Sequence, residues 1–115
     1  MVKQVIVCRK LDIGKGKLCA QVAHASLDAA LKVYRNNKEL FDRWYREGAK
    51  KVVLKVNSLE ELLDIAKKAM EKGIVVSIIR DAGKTQVSPG TIICIALGPD
   101  EDEKIDQITG NLKLY

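Results

Sequence analysis

Ile74-Val75-Val76-Ser77-Ile78-Ile79 is an almost wholly apolar run that stops at Arg80-Asp81. A six-residue run that is apolar at every position but Ser77 suits a strand covered on both faces, so the run is expected at the centre of a sheet. Upstream, Ser58-Leu59-Glu60-Glu61 has the form of a capping box that opens a helix, and Gly73 closes that helix just before the run. Residues 50–56 read as another strand. Downstream, the polar segment 80–91 leads to a further apolar strand at 92–97, and Pro99-Asp100 is expected to start a last helix that Gly110 ends.

Moving further out, residues 2–8 form a β-branched strand, and residues 12–16 punctuate the chain before a helix over 17–35. Leu18, Val22, Ala25, Ala29 and Val33 recur there at helical spacing, and the many alanines make the helix thin enough to pack closely on a sheet. A second helix covers 38–47, with Leu40, Phe41, Trp44 and Tyr45 as its anchoring face and Gly48 as its stop. The order is β-α-α-β-α-β-β-α. Helical crossovers make the first three strands parallel, while the fourth follows without a helix and turns back antiparallel. Ligands bind beyond the carboxyl ends of parallel strands, which directs attention to 9–17 and 80–88, with Thr91 brought to the same rim.

At 115 residues and 47% hydrophobic content, the chain is one domain, 1–115, with one core. Its formal charge of +5 favours an anionic partner. Cys8, Cys19 and Cys94 stand far apart without a C-x-x-C, and two lie in apolar runs, so reduced, buried thiols are expected. With His24 the one imidazole, the usual ligands of a zinc site are missing and no metal is expected. The opening residues are too short and too interrupted for a signal peptide or membrane span, which predicts a cytoplasmic protein.

Two segments could carry chemistry. Gly14-Lys15-Gly16-Lys17 falls where the first helix begins, and lysines in a first turn oppose the helix dipole unless an anion sits there. The other reading is two solvated lysines flanking turn glycines. Lys17, Gln21 and His24 share one stripe of the helix, where Gln21 could orient substrate or water and His24 could relay a proton or serve structurally. After the apolar strand, Asp81 emerges at the rim with a carboxylate that can accept a proton. Arg80, Lys84, Thr85, Ser88 and Thr91 crowd the same segment, with Gly83 and Pro89-Gly90 shaping it. The bland alternative is that Asp81 caps the turn and the hydroxyls satisfy loop backbone.

Gly14-Lys15-Gly16-Lys17, Gln21-Val22-Ala23-His24-Ala25, Asp81-Ala82-Gly83-Lys84-Thr85-Gln86, Ser88-Pro89-Gly90-Thr91 and the ending Thr109-Gly110-Asn111-Leu112-Lys113-Leu114-Tyr115 together resemble the archaeal/eukaryotic-type peptidyl-tRNA hydrolase family. The resemblance spans the chain, with the motifs in order and the archaeal-type form favoured. It implies an α/β three-layer sandwich, a mixed four-stranded sheet with helices on both faces, in agreement with the order read above. It also implies cofactor-free hydrolysis of the ester between a peptide and the tRNA 3′ ribose, which recycles tRNA. By that analogy Lys17, Asp81 and Thr85 are the catalytic candidates. Lys15, Gln21, His24, Arg80, Lys84, Ser88 and Thr91 are the substrate-binding candidates. Basic residues around the rim, Arg9 and Lys10 among them, would hold tRNA phosphates. A homodimer is compatible with the family. The rival reading is a non-catalytic RNA- or phosphate-binding module on the same basic rim, and a second is an adaptor that uses Trp44 and Tyr45.

Overall fold

The computed structural model describes residues 1–81 and 90–115. Its elements, in order, are β1 (Val2–Arg9), α1 (Lys15–Asn36), α2 (Lys38–Arg46), β2 (Lys51–Val56), α3 (Leu59–Glu71), β3 (Val76–Arg80), β4 (Ile92–Glu101), α4 (Asp102–Thr109) and β5 (Lys113–Leu114). The sheet runs β3-β4-β1-β2-β5. β1 and β2 pair in parallel, and β4 is antiparallel to both β1 and β3, so β1, β2 and β3 share one direction as the crossovers require.

Strand alternation sorts the core. Val5 and Val7 of β1 pack with Leu54, Val56, Ile95 and Leu97 and meet Leu62, Ile65, Ala66 and Ala69 of α3 and Ile105 of α4. Ile6 and Cys8 face the other way, onto Ala25 and Ala29 of α1, along with Ile79, Ile93 and Ala96. The small residues of α1 bring its axis close to the sheet, while Trp44 closes the end of that layer with Val2 and Ala30 and donates from Nε1 to the Lys50 carbonyl at 2.9 Å. Trp44 is a core anchor rather than an exposed adaptor residue.

Four expectations are corrected. The sheet has five strands among the described residues, because Lys113–Leu114 adds a short antiparallel strand to the edge of β2. The 74–79 run is an edge strand, not a central one: β3 has β4 on one side only, and Val76 and Ile78 are half-buried beneath the helices. Its apolarity reflects helix cover on its faces, which says nothing about how many strands flank it. β4 continues through Pro99 to Glu101, and α4 starts only at Asp102. The extension is fastened by buried Gln4, whose Nε2 donates to the carbonyls of Ser26 (2.9 Å) and Gly98 (3.2 Å) while its Oε1 accepts from the Ser26 hydroxyl. Finally, Cys8 and Cys94 are not separate thiols. They sit opposite one another in the β1–β4 register with Cα atoms 4.1 Å apart and form a disulfide, whereas Cys19 is free and exposed.

Candidate active site

The carboxyl ends of β1 and β3 and the start of β4 converge beside the first turn of α1. Gly14, in an extended conformation, is the N-cap of α1 and makes Lys15 and Lys17 first-turn residues, with no acidic residue to complement the dipole. α1 then runs antiparallel to β3, so its N-terminus meets the end of that strand. There the Lys17 ammonium forms an ion pair with Oδ1 of Asp81. The Asp81 side chain has no solvent exposure and that of Lys17 retains 18%. A carboxylate so covered requires a compensating charge, and an ammonium with a residual opening can also act on something outside.

The strand geometry explains the placement. Ser77 and Ile79 point toward α1, and alternation carries Asp81 to the same side. Between Ile79 and Arg80 the register with β4 shifts, Ile79 pairing with Cys94 and Arg80 with Ile92, which leaves Ile93 as an extra residue on β4. Bulges of this kind re-aim chains near functional sites. The backbone beyond it is tied down: Asp81 N–H donates to Thr91 O at 2.8 Å, and Gly90 N–H donates to Asp81 O at 2.9 Å. Gly90 adopts φ +82°, a conformation that favours glycine at this return.

The structure therefore gathers Lys17, Asp81 and Thr91, with Lys15 exposed beside them and Gln21 one turn along α1, while Arg80 ends β3 at the same rim with its side chain on the opposite face, donating to Gly90 O. The Gln21 side-chain oxygen is buried without a hydrogen-bond donor among the described residues. His24 is exposed, one turn before Asp28 on the same stripe of the helix. Lys84, Thr85 and Ser88 lie outside the described residues. One contact was not anticipated. Asp28 extends the Lys17 stripe and meets the buried Ser77, whose hydroxyl, without reaching strict hydrogen-bond geometry, is the largest influence holding the Asp28 carboxyl below its ordinary value, ahead of Lys32. Ser77, the one polar residue in the apolar run and four positions before Asp81, was the available signal.

On the opposite flank of α1 lies an apolar groove of about 620 Å³ between α1, α2 and β2. Leu27 and Tyr45 stand at its edge, 62% and 68% exposed. Among the described residues no helix is long and apolar enough to cross a membrane.

Fold and site together define an α/β protein with a cation–carboxylate centre at the carboxyl rim of its parallel strands, an arrangement suited to oxyanion and proton-transfer chemistry. The family model for peptidyl-tRNA hydrolase PTH2 matches residues 2–115, and the chain belongs to that family. Proteins named peptidyl-tRNA hydrolase are 54% identical in Thermoplasma acidophilum (97% of each chain covered) and 56% identical in Methanocaldococcus jannaschii (97% of this chain, 98% of that one). One from Thermoplasma volcanium is 50% identical over 99% of this chain and 98% of its own.

Proposed function

We propose that the protein hydrolyses the ester of peptidyl-tRNA, releasing peptide and free tRNA, and that the Lys17–Asp81 pair is its reaction centre. The observation that carries this reading is the meeting of a partly open ammonium with a covered carboxylate where strand ends, bulge and helix N-terminus converge. Asp81 anchors Lys17 and takes the proton of the attacking water. The water oxygen bonds to the ester carbonyl carbon, and Lys17 meets the carbonyl oxygen as it becomes an oxyanion. Collapse breaks the bond to the ribose oxygen, which leaves with a proton as free tRNA. In this reading Thr85 holds the water, and Gln21, with its open acceptor, orients an N–H or O–H of the substrate. Lys15, His24, Arg80, Lys84, Ser88 and Thr91 are assigned to substrate binding. The positive rim binds RNA phosphates without reading sequence.

The same proposal takes the fold as a three-layer sandwich and the setting as cytoplasmic. It takes the assembly as a homodimer through the α1–α2 face, which offers both a groove and protruding apolar side chains, the two halves of a self-complementary contact. Sedimentation of wild type and Leu27→Glu tests the dimer, and a monomeric wild type overturns it. The hydrolytic test is single-turnover cleavage of a labelled N-acyl-aminoacyl-tRNA, with loss expected in Lys17→Ala and Asp81→Asn. Full cleavage by both variants would refute the assignment. Binding without cleavage by the wild type would favour the RNA-binding module.

A further inference from the structure

Arg9 and Arg80 end β1 and β3 at the same rim, yet they leave the sheet on the face away from α1. Val5 and Val7 precede Arg9 in alternation, and Val76 and Ile78 precede Arg80, and all four pack on the α3–α4 side. Each guanidinium is docked on the returning chain. Arg9 Nη1 donates to Ile92 O at 3.2 Å and Arg80 Nη1 donates to Gly90 O at 3.4 Å. These carbonyls flank Thr91, the residue whose own carbonyl holds the Asp81 backbone. Among the described residues the buried Nε–H of Arg9 meets no acceptor, and neither guanidinium pairs with a carboxylate. Two oriented forks with an unmet buried donor call for an anion with several acceptor oxygens.

We propose that Arg9 and Arg80 form a two-guanidinium clamp for a single phosphodiester of the RNA substrate, the one nearest the esterified ribose. This rests on the hydrolase reading, since an ester held at Lys17 brings the terminal nucleotide's own 5′ phosphate to the neighbouring rim. Acidic Glu60 and Glu61, in the first turn of α3 just after β2, disfavour phosphate on that side and direct the RNA over β1, β4 and β3. The clamp thus acts from the face opposite α1 and sets the register of the 3′ end against the reaction centre.

The test compares two N-acetyl-aminoacyl esters, one of adenosine with a free 5′ hydroxyl and one of adenosine 5′-methylphosphodiester. The wild type is expected to prefer the phosphodiester by about 10- to 100-fold in kcat/KM, as a charge-assisted pair would give. Arg9→Gln and Arg80→Gln should each shrink that preference severalfold and the double variant should abolish it. Arg9→Lys, which keeps the charge without the fork, should recover only part. A preference that survives in all of them, or an equal loss on both esters, overturns the clamp. Calorimetric binding of uncharged adenosine 5′-methylphosphodiester separates the two readings. If the wild type binds it in an Arg9- and Arg80-dependent way but cleaves neither ester, the hydrolase reading fails and the clamp stands. If the esters are cleaved without phosphate preference, the reverse holds. Inorganic phosphate binding as tightly as the nucleotide would mean a free-anion site and would also overturn the proposal. Should Arg9→Gln fail to fold, Arg9→Lys and Arg80→Gln decide the matter.

Discussion

Lys17 and Asp81 differ in what each leaves behind when removed. Lys17→Ala removes the ammonium paired with a fully covered carboxylate, and breaking a buried pair from one side costs on the order of 3–5 kcal/mol. Asp81→Asn leaves an ammonium that already has an opening to solvent, so urea melts should rank Lys17→Ala as the less stable variant. In folded protein, Lys17→Ala is expected to lower kcat about 100- to 1000-fold as an oxyanion donor is lost, with KM much less affected. Asp28 gives a pH prediction. Its folded carboxyl lies below the ordinary value of 3.8, chiefly through Ser77, so its contribution to stability is present above that value and fades as pH falls through the lower folded one. Ser77→Ala should therefore move the Asp28 titration, followed by carboxyl NMR, upward toward 3.8, and an unmoved titration would exclude the Ser77 hydroxyl as the cause. The Lys17–Asp81 meeting was legible in the sequence because helix order and strand direction together brought both to one rim. The Asp28 contact was not, since Asp28 reads as one more solvated charge until the helix is laid along β3.

Among the elements, those whose ends carry side-chain signals were the readable ones. Ser58 caps α3 as its spacing implies, its Oγ accepting from Glu61 N–H at 3.1 Å, and Ser58→Ala should cost about 1 kcal/mol in thermal unfolding. Gly48 and Gly73 follow α2 and α3 with positive φ, as helix-stopping glycines do. The end of β4 misled because Pro99-Asp100 is an ordinary helix opening, whereas here the Gln4–Ser26 network holds that stretch in the sheet and delays α4 to Asp102. Gly98 belongs to that network with φ +81°, and a Cβ there would lie 2.7 Å from the Asp100 nitrogen. Gly98→Ala is expected to destabilise by more than the ~1–3 kcal/mol of backbone strain alone, measured as a fall in Tm. The centrality of the 74–79 run and the presence of β5 were illegible for a common reason: local composition reports burial, and burial does not specify which strand lies beside which.

At the scale of the whole molecule, pairing register decides what composition left open. Cys8 and Cys94, 86 residues apart, become neighbours only through the antiparallel β1–β4 ladder. Thiol titration of protein denatured without reductant should find the single free thiol of Cys19, and three reactive thiols would contradict the cross-link. The same long-range order sets α1 against β3 at two places, Lys17 on Asp81 and Asp28 near Ser77. Eleven helical residues rise about 16 Å, and four extended ones span about 13 Å, so helix and strand keep step over that distance. They act as two rungs of a ladder, and the far rung gauges the near one. A substitution at Ser77 that lets the helix slide would be felt as a mistuned ammonium a dozen ångströms away, and turnover would serve as the vernier that reads it.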